Sequence, residues 1–223
     1  DGLLAQVEEA GLAYPLFVKP SRAGSSFGVT KVTAKEQIQP AITKAFAEAQ
    51  EVVVEAFMDG TEITCGCYKT KDKSVVFPIT EVVSHNEYFD YEAKYNGASD
   101  EITPARISDD LTRRVQTLTS AIYDILGAYG IIRVDYIITE GEKINLLEVN
   151  TTPGMTATSF IPQQVRAAGI VDTDLAHHLA DDDLDVLIVD VNALLTVDLL
   201  DFLNDILSAG IDAADTQHVV RAV

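Results

Sequence analysis

An α+β fold, mainly antiparallel sheet flanked by helices and followed by an acidic α/β tail, is what this chain predicts, and three observations carry that reading. Short β-rich runs crowd residues 51–84 and recur at 131–150. Two longer segments, 34–49 and 109–126, read as helices, the second with apolar residues at helical spacing. From Asp172 onward the composition changes abruptly: twelve Asp, no Glu, no Lys and a single Arg, Arg221.

Taken in order, a helix is expected over Leu3–Ala10 and a strand over Leu16–Lys19, stopped by Pro20. Gly24-Ser25-Ser26-Phe27-Gly28 reads as a glycine loop ahead of a strand at Gly28–Val32 and a helix at Ala34–Ala49. Strands are expected at Glu51–Glu55, Glu62–Lys69, Ser74–Phe77 and Ile79–Ser84. The following loop, His85–Thr103, is long and rich in Tyr, Asn, Asp and Gly, and long loops in compact domains usually serve as functional lids. The helix Asp109–Leu126 carries Leu111, Val115, Leu118, Ile122 and Ile125 on one face, with Ser108 or Asp109 as its cap. In the tail, a short helix at Thr173–Ala180, an acidic turn at Asp181-Asp182-Asp183, a strand at Val186–Val189 and an amphipathic helix ending at Ala209-Gly210 are expected to cover sheet surface rather than to bind a ligand.

Composition excludes several classes. With 223 residues and 47% hydrophobic content the chain can bury a real core. No apolar run approaches the roughly 20 residues needed to cross a bilayer, and Asp1-Gly2-Leu3-Leu4 has no basic flank, so a cytoplasmic protein without membrane contact is expected. A net charge of -19 argues against nucleic acid, whose phosphates demand basic surface. Cys65 and Cys67, two apart in a strand, point the same way; they read as small buried side chains rather than a disulfide or a zinc site.

The most informative residues lie in two segments, Arg133-Val134-Asp135 and Glu148-Val149-Asn150. The stretch from Thr139 to Ile144 looks like a hairpin closed by the four-residue turn Glu140-Gly141-Glu142-Lys143. That register sets Asp135 opposite Glu148 and Arg133 opposite Asn150, all four on one sheet face. Three oxygen-bearing groups beside one guanidinium suit a hard cation and a transferring phosphoryl group. The competing reading is a solvated face with an exposed ion pair of little energetic weight.

Glu148-Val149-Asn150-Thr151-Thr152-Pro153-Gly154-Met155-Thr156-Ala157-Thr158-Ser159 resembles the signature of the D-alanine:D-alanine ligases, members of the ATP-grasp superfamily. Phe17-Val18-Lys19-Pro20, the glycine loop, Val54 through Glu62, and Phe89-Asp90-Tyr91-Glu92-Ala93-Lys94-Tyr95 agree in order and spacing. The resemblance covers Leu16 to about Ile170 and stops there. It implies that residues 1–62 are a remnant of the central subdomain, that 63–171 form the catalytic subdomain, and that 172–223 are an extension foreign to the family.

The same resemblance implies a role for each motif. Lys19 and Lys94 contact the ATP phosphates, and Ser25 and Ser26 fold over them. Glu55 and Met58 hold the adenine and Glu62 the ribose. Asp135, Glu148 and Asn150 hold two Mg²⁺ ions, for which Mn²⁺ can stand in. Arg133 stabilises the transferring group, Gly154 gives close approach to a developing oxyanion, and Tyr95 closes over the second substrate. Ser159 and the Phe160 amide hold the carboxylate of the second D-alanine, with D-serine left open as the alternative. Met155 is expected to pack.

Such ligases join two D-alanines through an acyl phosphate, for peptidoglycan, and are typically homodimers. In the family, a Rossmann-like domain and half of the central domain precede the Phe-Val-Lys-Pro strand, where this sequence has 16 residues. The chain is therefore expected to be a fragment or an engineered piece that binds Mg-ATP weakly and makes little or no dipeptide alone. The alternative is a non-catalytic scaffold or nucleotide-binding module built on the same core.

Overall fold

The computed structural model describes residues 6, 7, 9–21, 28–84, 99–170 and 219–222. Its elements fall into two compact units, each with its own core.

The first unit is a four-stranded antiparallel sheet with one helix on it. Strands β1 (Leu16–Pro20), β2 (Thr30–Val32), β3 (Val52–Ala56) and β10 (Val219–Ala222) lie in the order β10-β3-β1-β2. Period-two alternation sends Leu16, Val18, Val32, Val52 and Val54 to the buried face. There they meet Ile38, Ala41, Ile42 and Ala45, one apolar stripe of helix α1 (Ile38–Phe46).

The expected helix start at Ala34 is corrected. A 3₁₀ turn, Lys35–Gln37, comes first, and α1 begins only at Ile38. Pro40 is the reason: it lacks an N–H and is tolerated only in a first helical turn. Strand β10, unforeseen in the sequence, pairs antiparallel with β3, Val220 opposite Val54. The expected tail helices and the strand at Val186–Val189 lie outside the described residues, as does half of the helix over Leu3–Ala10.

The second unit is a six-stranded antiparallel sheet with a helix on each face. It comprises β4 (Thr61–Lys69), β5 (Ser74–Val76), β6 (Thr80–Ser84), β7 (Ser99–Ile102), β8 (Ile131–Thr139) and β9 (Lys143–Asn150), ordered β7-β6-β4-β8-β9, with β5 also on β4. Helix α2 (Asp109–Ile125) is capped by Ser108, whose Oγ accepts the Leu111 N–H at 3.1 Å. It buries Leu111, Val115, Leu118 and Ile122 on the face formed by Ile63, Cys65, Cys67, Ile132, Val134, Tyr136 and Ile138. On the opposite face, α3 (Phe160–Ala167) buries Ile161 and Val165 beside Tyr68, Phe77 and Ile131. Both cysteines are buried free thiols, as the strand spacing predicted.

One further expectation is corrected: the long loop does not run to Thr103, because Ser99–Ile102 form the edge strand β7. Ser-Asp-Glu-Ile lacks apolar alternation, which an edge strand with one solvated flank does not need. Among the described residues no helix is long and apolar enough to cross a membrane.

Candidate active site

Strands β8 and β9 form a hairpin whose register sets the site. Arg133 pairs with Asn150 and Asp135 with Glu148, as the sequence predicted. The route to that register differs from the expected one. Thr139 pairs with Lys143 across the three-residue turn Glu140–Glu142, where Gly141 takes φ +74°. That tighter turn alone would set Leu147 opposite Asp135 and send Glu148 and Asn150 to the other face. A bulge between Asp135 and Tyr136 absorbs one extra residue on β9 and restores the phase. The packing follows the same shift, since Ile144, Leu146 and Val149 all join the α2 core although the last spacing is three.

On the face of that hairpin turned away from α2 the four side chains converge. The Arg133 guanidinium makes a two-pronged bond to Asp135, Nε to Oδ1 and Nη2 to Oδ2, both at 2.8 Å. Asn150 Nδ2 donates to Asp135 Oδ2 at 3.2 Å and to Glu148 Oε1 at 3.0 Å, bridging the two carboxylates. Glu148 Oε1 lies 3.7 Å from the guanidinium.

The Arg133 and Asp135 side chains are only 15% and 10% exposed, so this is no surface ion pair. Burial alone would lower the Arg133 pKa, but the hydrogen bonds and charge of Asp135, with Glu148 and Glu62 behind them, raise it above the ordinary value. The guanidinium therefore stays charged, with its Cζ 5.2 Å from the centre of the Phe160 ring.

Whether a cation fits here depends on the donors. Two carboxylates and one carboxamide are hard oxygen ligands suited to Mg²⁺, and Asn150 already brings both carboxylates within reach of one group. Turning that amide over presents Oδ1 in place of Nδ2. Among the described residues no group of three or more His, Cys, Asp or Glu could hold a metal, so the site depends on Asn150 and on oxygens supplied by a ligand.

Residues missed in the sequence complete the surroundings. Thr64 lies opposite Asp135 on β4 and its hydroxyl donates to Asp135 Oδ1 at 2.5 Å. Gln164 of α3 reaches the same strand, its side chain fully buried. A polar residue between apolar ones was the available signal at Thr64, and a glutamine on the helical stripe of Ile161 and Val165 at Gln164, but the partner strand could not be read from the sequence.

Ser159 precedes α3 and interacts with Thr156, whose N–H donates to Ser159 Oγ at 3.2 Å and whose hydroxyl lies 2.8 Å from it. A Cβ at Gly154 would come 2.9 Å from Ser159 Oγ, so a larger residue there would turn that hydroxyl aside. Met155 is 52% exposed, which corrects the expectation that it packs. In the first unit, Lys19 and Glu55 share a sheet face and pair with each other at 2.7 Å. Met58 is half-buried just beyond β3, and Glu62 stands on β4 opposite Ile137. Ser25, Ser26, Lys94 and Tyr95 lie outside the described residues.

A mainly antiparallel sheet between helices, carrying this face of Arg, Asp, Glu and Asn, is the ATP-grasp fold as found in D-Ala ligases. The D-ala D-ala ligase C-terminus family model matches residues 2–181, and the chain belongs to that family. It is 81% identical over 164 residues to a D-alanine--D-alanine ligase of Bacteroides fragilis, covering 74% of this chain and 50% of that protein. Among solved structures, the VanG D-Ala:D-Ser ligase from Enterococcus faecalis matches with a TM-score of 0.69 at 37% identity, over 79% of this chain and 52% of that one. The D-alanine--D-alanine ligase from Bacillus anthracis complexed with ATP matches with a TM-score of 0.64 at 29% identity, over 79% and 54%. The chain thus spans about half the length of the curated relatives it matches.

Proposed function

We propose that these residues are the catalytic region of an ATP-dependent D-alanine:D-alanine ligase, with residues 1–62 belonging to the ATP-grasp central subdomain and 63–171 to the catalytic subdomain. The observation that carries the reading is the β8–β9 register, which gathers one charged guanidinium, two carboxylates and a carboxamide on a single face. The matching ligase structure with ATP bound supports nucleotide as the ligand.

Asp135, Glu148 and Asn150 would hold Mg²⁺, which when bound neutralises charge on the nucleotide phosphates. Arg133, held by Asp135 through two of its nitrogens, keeps Nη1 available to the transferring phosphoryl group. A D-alanine carboxylate oxygen attacks the γ-phosphorus and ADP leaves; the amine of a second D-alanine then attacks the acyl carbon and phosphate leaves. Ser159 and the Phe160 N–H, at a helix start, suit the carboxylate of that second substrate. Lys19, Ser25, Ser26 and Lys94 serve the phosphates, Glu55, Met58 and Glu62 the nucleoside, and Tyr95 and Gly154 the closed complex and its oxyanion.

Because the chain spans half of its relatives, we expect weak Mg-ATP binding and little or no dipeptide synthesis from these residues alone. Calorimetric titration of Mg-ATP into the chain, beside an Asp135→Asn, Glu148→Gln double variant, tests the site. Saturable binding that weakens at least roughly tenfold in the variant is the expected result, as removal of charged metal ligands requires. Absence of binding by a folded parent chain would refute the reading.

A further inference from the structure

Strand β4 changes neighbours midway. From Glu62 to Thr64 it pairs with β6, and from Cys67 to Lys69 with β5. Between the two runs, Cys65 and Gly66 have no register partner on that edge, and the Gly66 carbonyl accepts the Phe77 N–H at 2.9 Å.

The Gln164 side chain of α3 bridges that interruption. Its Oε1 accepts the Gly66 N–H at 2.9 Å and its Nε2 donates to the Thr64 carbonyl at 3.0 Å, as a neighbouring peptide group would. Nε2 also donates to Thr80 Oγ1 at 3.1 Å, so both ends of the amide are satisfied although it is fully buried. The helix sits directly on the strand here, because a Cβ at Gly66 would meet Ile161 Cδ1 at 2.4 Å. An apolar side chain would serve packing alone, as Ile161 and Val165 do beside it. A buried carboxamide with three partners instead locks one helix position against one strand register.

That register has a consequence at the site. Thr64, whose carbonyl Gln164 holds, donates its hydroxyl to Asp135 Oδ1, the oxygen that also accepts Arg133 Nε. The chain of contacts therefore runs from α3, which begins at Phe160 directly after Ser159, through Gln164 and Thr64 to Asp135.

We infer that Thr64 and Gln164 are positioning residues for the cation site, Thr64 by orienting the Asp135 carboxylate and Gln164 by holding Thr64 and α3 in register. The inference rests on the reading of Asp135, Glu148 and Asn150 as cation ligands. Partners that orient metal ligands from behind typically contribute 10–100-fold in affinity.

The test is Mn²⁺ binding to the full 223-residue chain, followed by the electron paramagnetic resonance signal of free Mn²⁺, with hydrogen exchange of the Gly66 amide as a second readout. Thr64→Val, which keeps shape and loses the hydroxyl, should weaken Mn²⁺ binding by about 10–100-fold, and Thr64→Ser should restore it to within a few-fold of the parent. Gln164→Met should weaken binding comparably and strip exchange protection from Gly66. Val165→Ala, which loosens the same helix without touching the polar chain, should lower stability and leave Mn²⁺ affinity unchanged. Parent-like binding by Thr64→Val, failure of Thr64→Ser to rescue, or equal weakening by Val165→Ala each overturns the inference while the cation site stands. A parent chain that binds no Mn²⁺ removes the site reading itself, and the inference with it.

Discussion

At Arg133 the local environment decides a chemical role that the residue type leaves open. An arginine two positions from an aspartate in a strand is ordinary; one whose guanidinium is nearly buried, forked onto that aspartate and stacked on a phenylalanine is held in a single orientation. Gly66 shows the same dependence on surroundings from the opposite direction. A methyl group there would come 2.6 Å from Phe77 Cδ2 and 2.8 Å from Gln164 Oε1, in addition to Ile161. Gly66→Ala is therefore expected to destabilise the chain by about 1–3 kcal/mol through overpacking, read as a lower urea midpoint at unchanged slope. A midpoint equal to the parent's would show that α3 can lift off β4 at no cost.

At the scale of elements, the β8–β9 hairpin works because two irregularities cancel. The tight turn slips the register by one residue and the bulge slips it back, leaving Arg133, Asp135, Glu148 and Asn150 on one face and Val134, Val149 and Tyr136 in the core. A second element-scale device fastens the segment between β7 and α2. Glu81 on β6 accepts the Arg106 N–H at 3.1 Å, Nε at 2.9 Å and Nη2 at 2.8 Å. Those hydrogen bonds, against the opposing effect of burial, hold the Glu81 carboxyl below its ordinary value of 4.5.

The sign of the linkage follows from that direction. The unfolded chain binds the proton more tightly, so the Glu81 contribution is present above pH 4.5 and is lost as the pH falls through the lower folded value. Glu81→Gln should cost about 1 kcal/mol near neutrality, a figure discounted because the Arg106 side chain is largely exposed. The gap between variant and parent should close as the pH is lowered below 4.5, which denaturant titrations at stepped pH would follow. A gap that stays constant with pH would exclude the ion pair as its source.

Across the described residues, one apolar cluster stabilises the first unit and two, on opposite sheet faces, the second, which contains both cysteines. Burial pushes the Cys65 thiol up to about 12 and the Cys67 thiol up to about 11. Neither forms an appreciable thiolate near neutrality, and neither is reachable in the folded state. Alkylation of the native chain should accordingly be slow and should accelerate only with denaturant that unfolds the second unit, when both thiols react together. Rapid labelling of the native chain would contradict the buried placement of β4.

Sequence alone determined most strands, the capped helix at Asp109 and the buried cysteines, because periodicity and capping act over a few neighbours. It paired Arg133 with Asn150 and Asp135 with Glu148, but through a four-residue turn, where a three-residue turn and a bulge produce that register. It also carried the family, through motifs that are contiguous. It misplaced the start of α1, where Pro40 restricts the helix, and it passed over β7 and β10, whose pairing depends on partners distant in sequence. Thr64 and Gln164 remained invisible for the same reason. Each is an unremarkable polar residue until β4 is laid between β6 and β8 and α3 is set upon it, and the 100 residues separating them carry no local signal of that contact. Which partner a polar side chain meets in the interior is decided by tertiary packing, since the hydrogen bonds that make its burial tolerable exist only once both elements are in place.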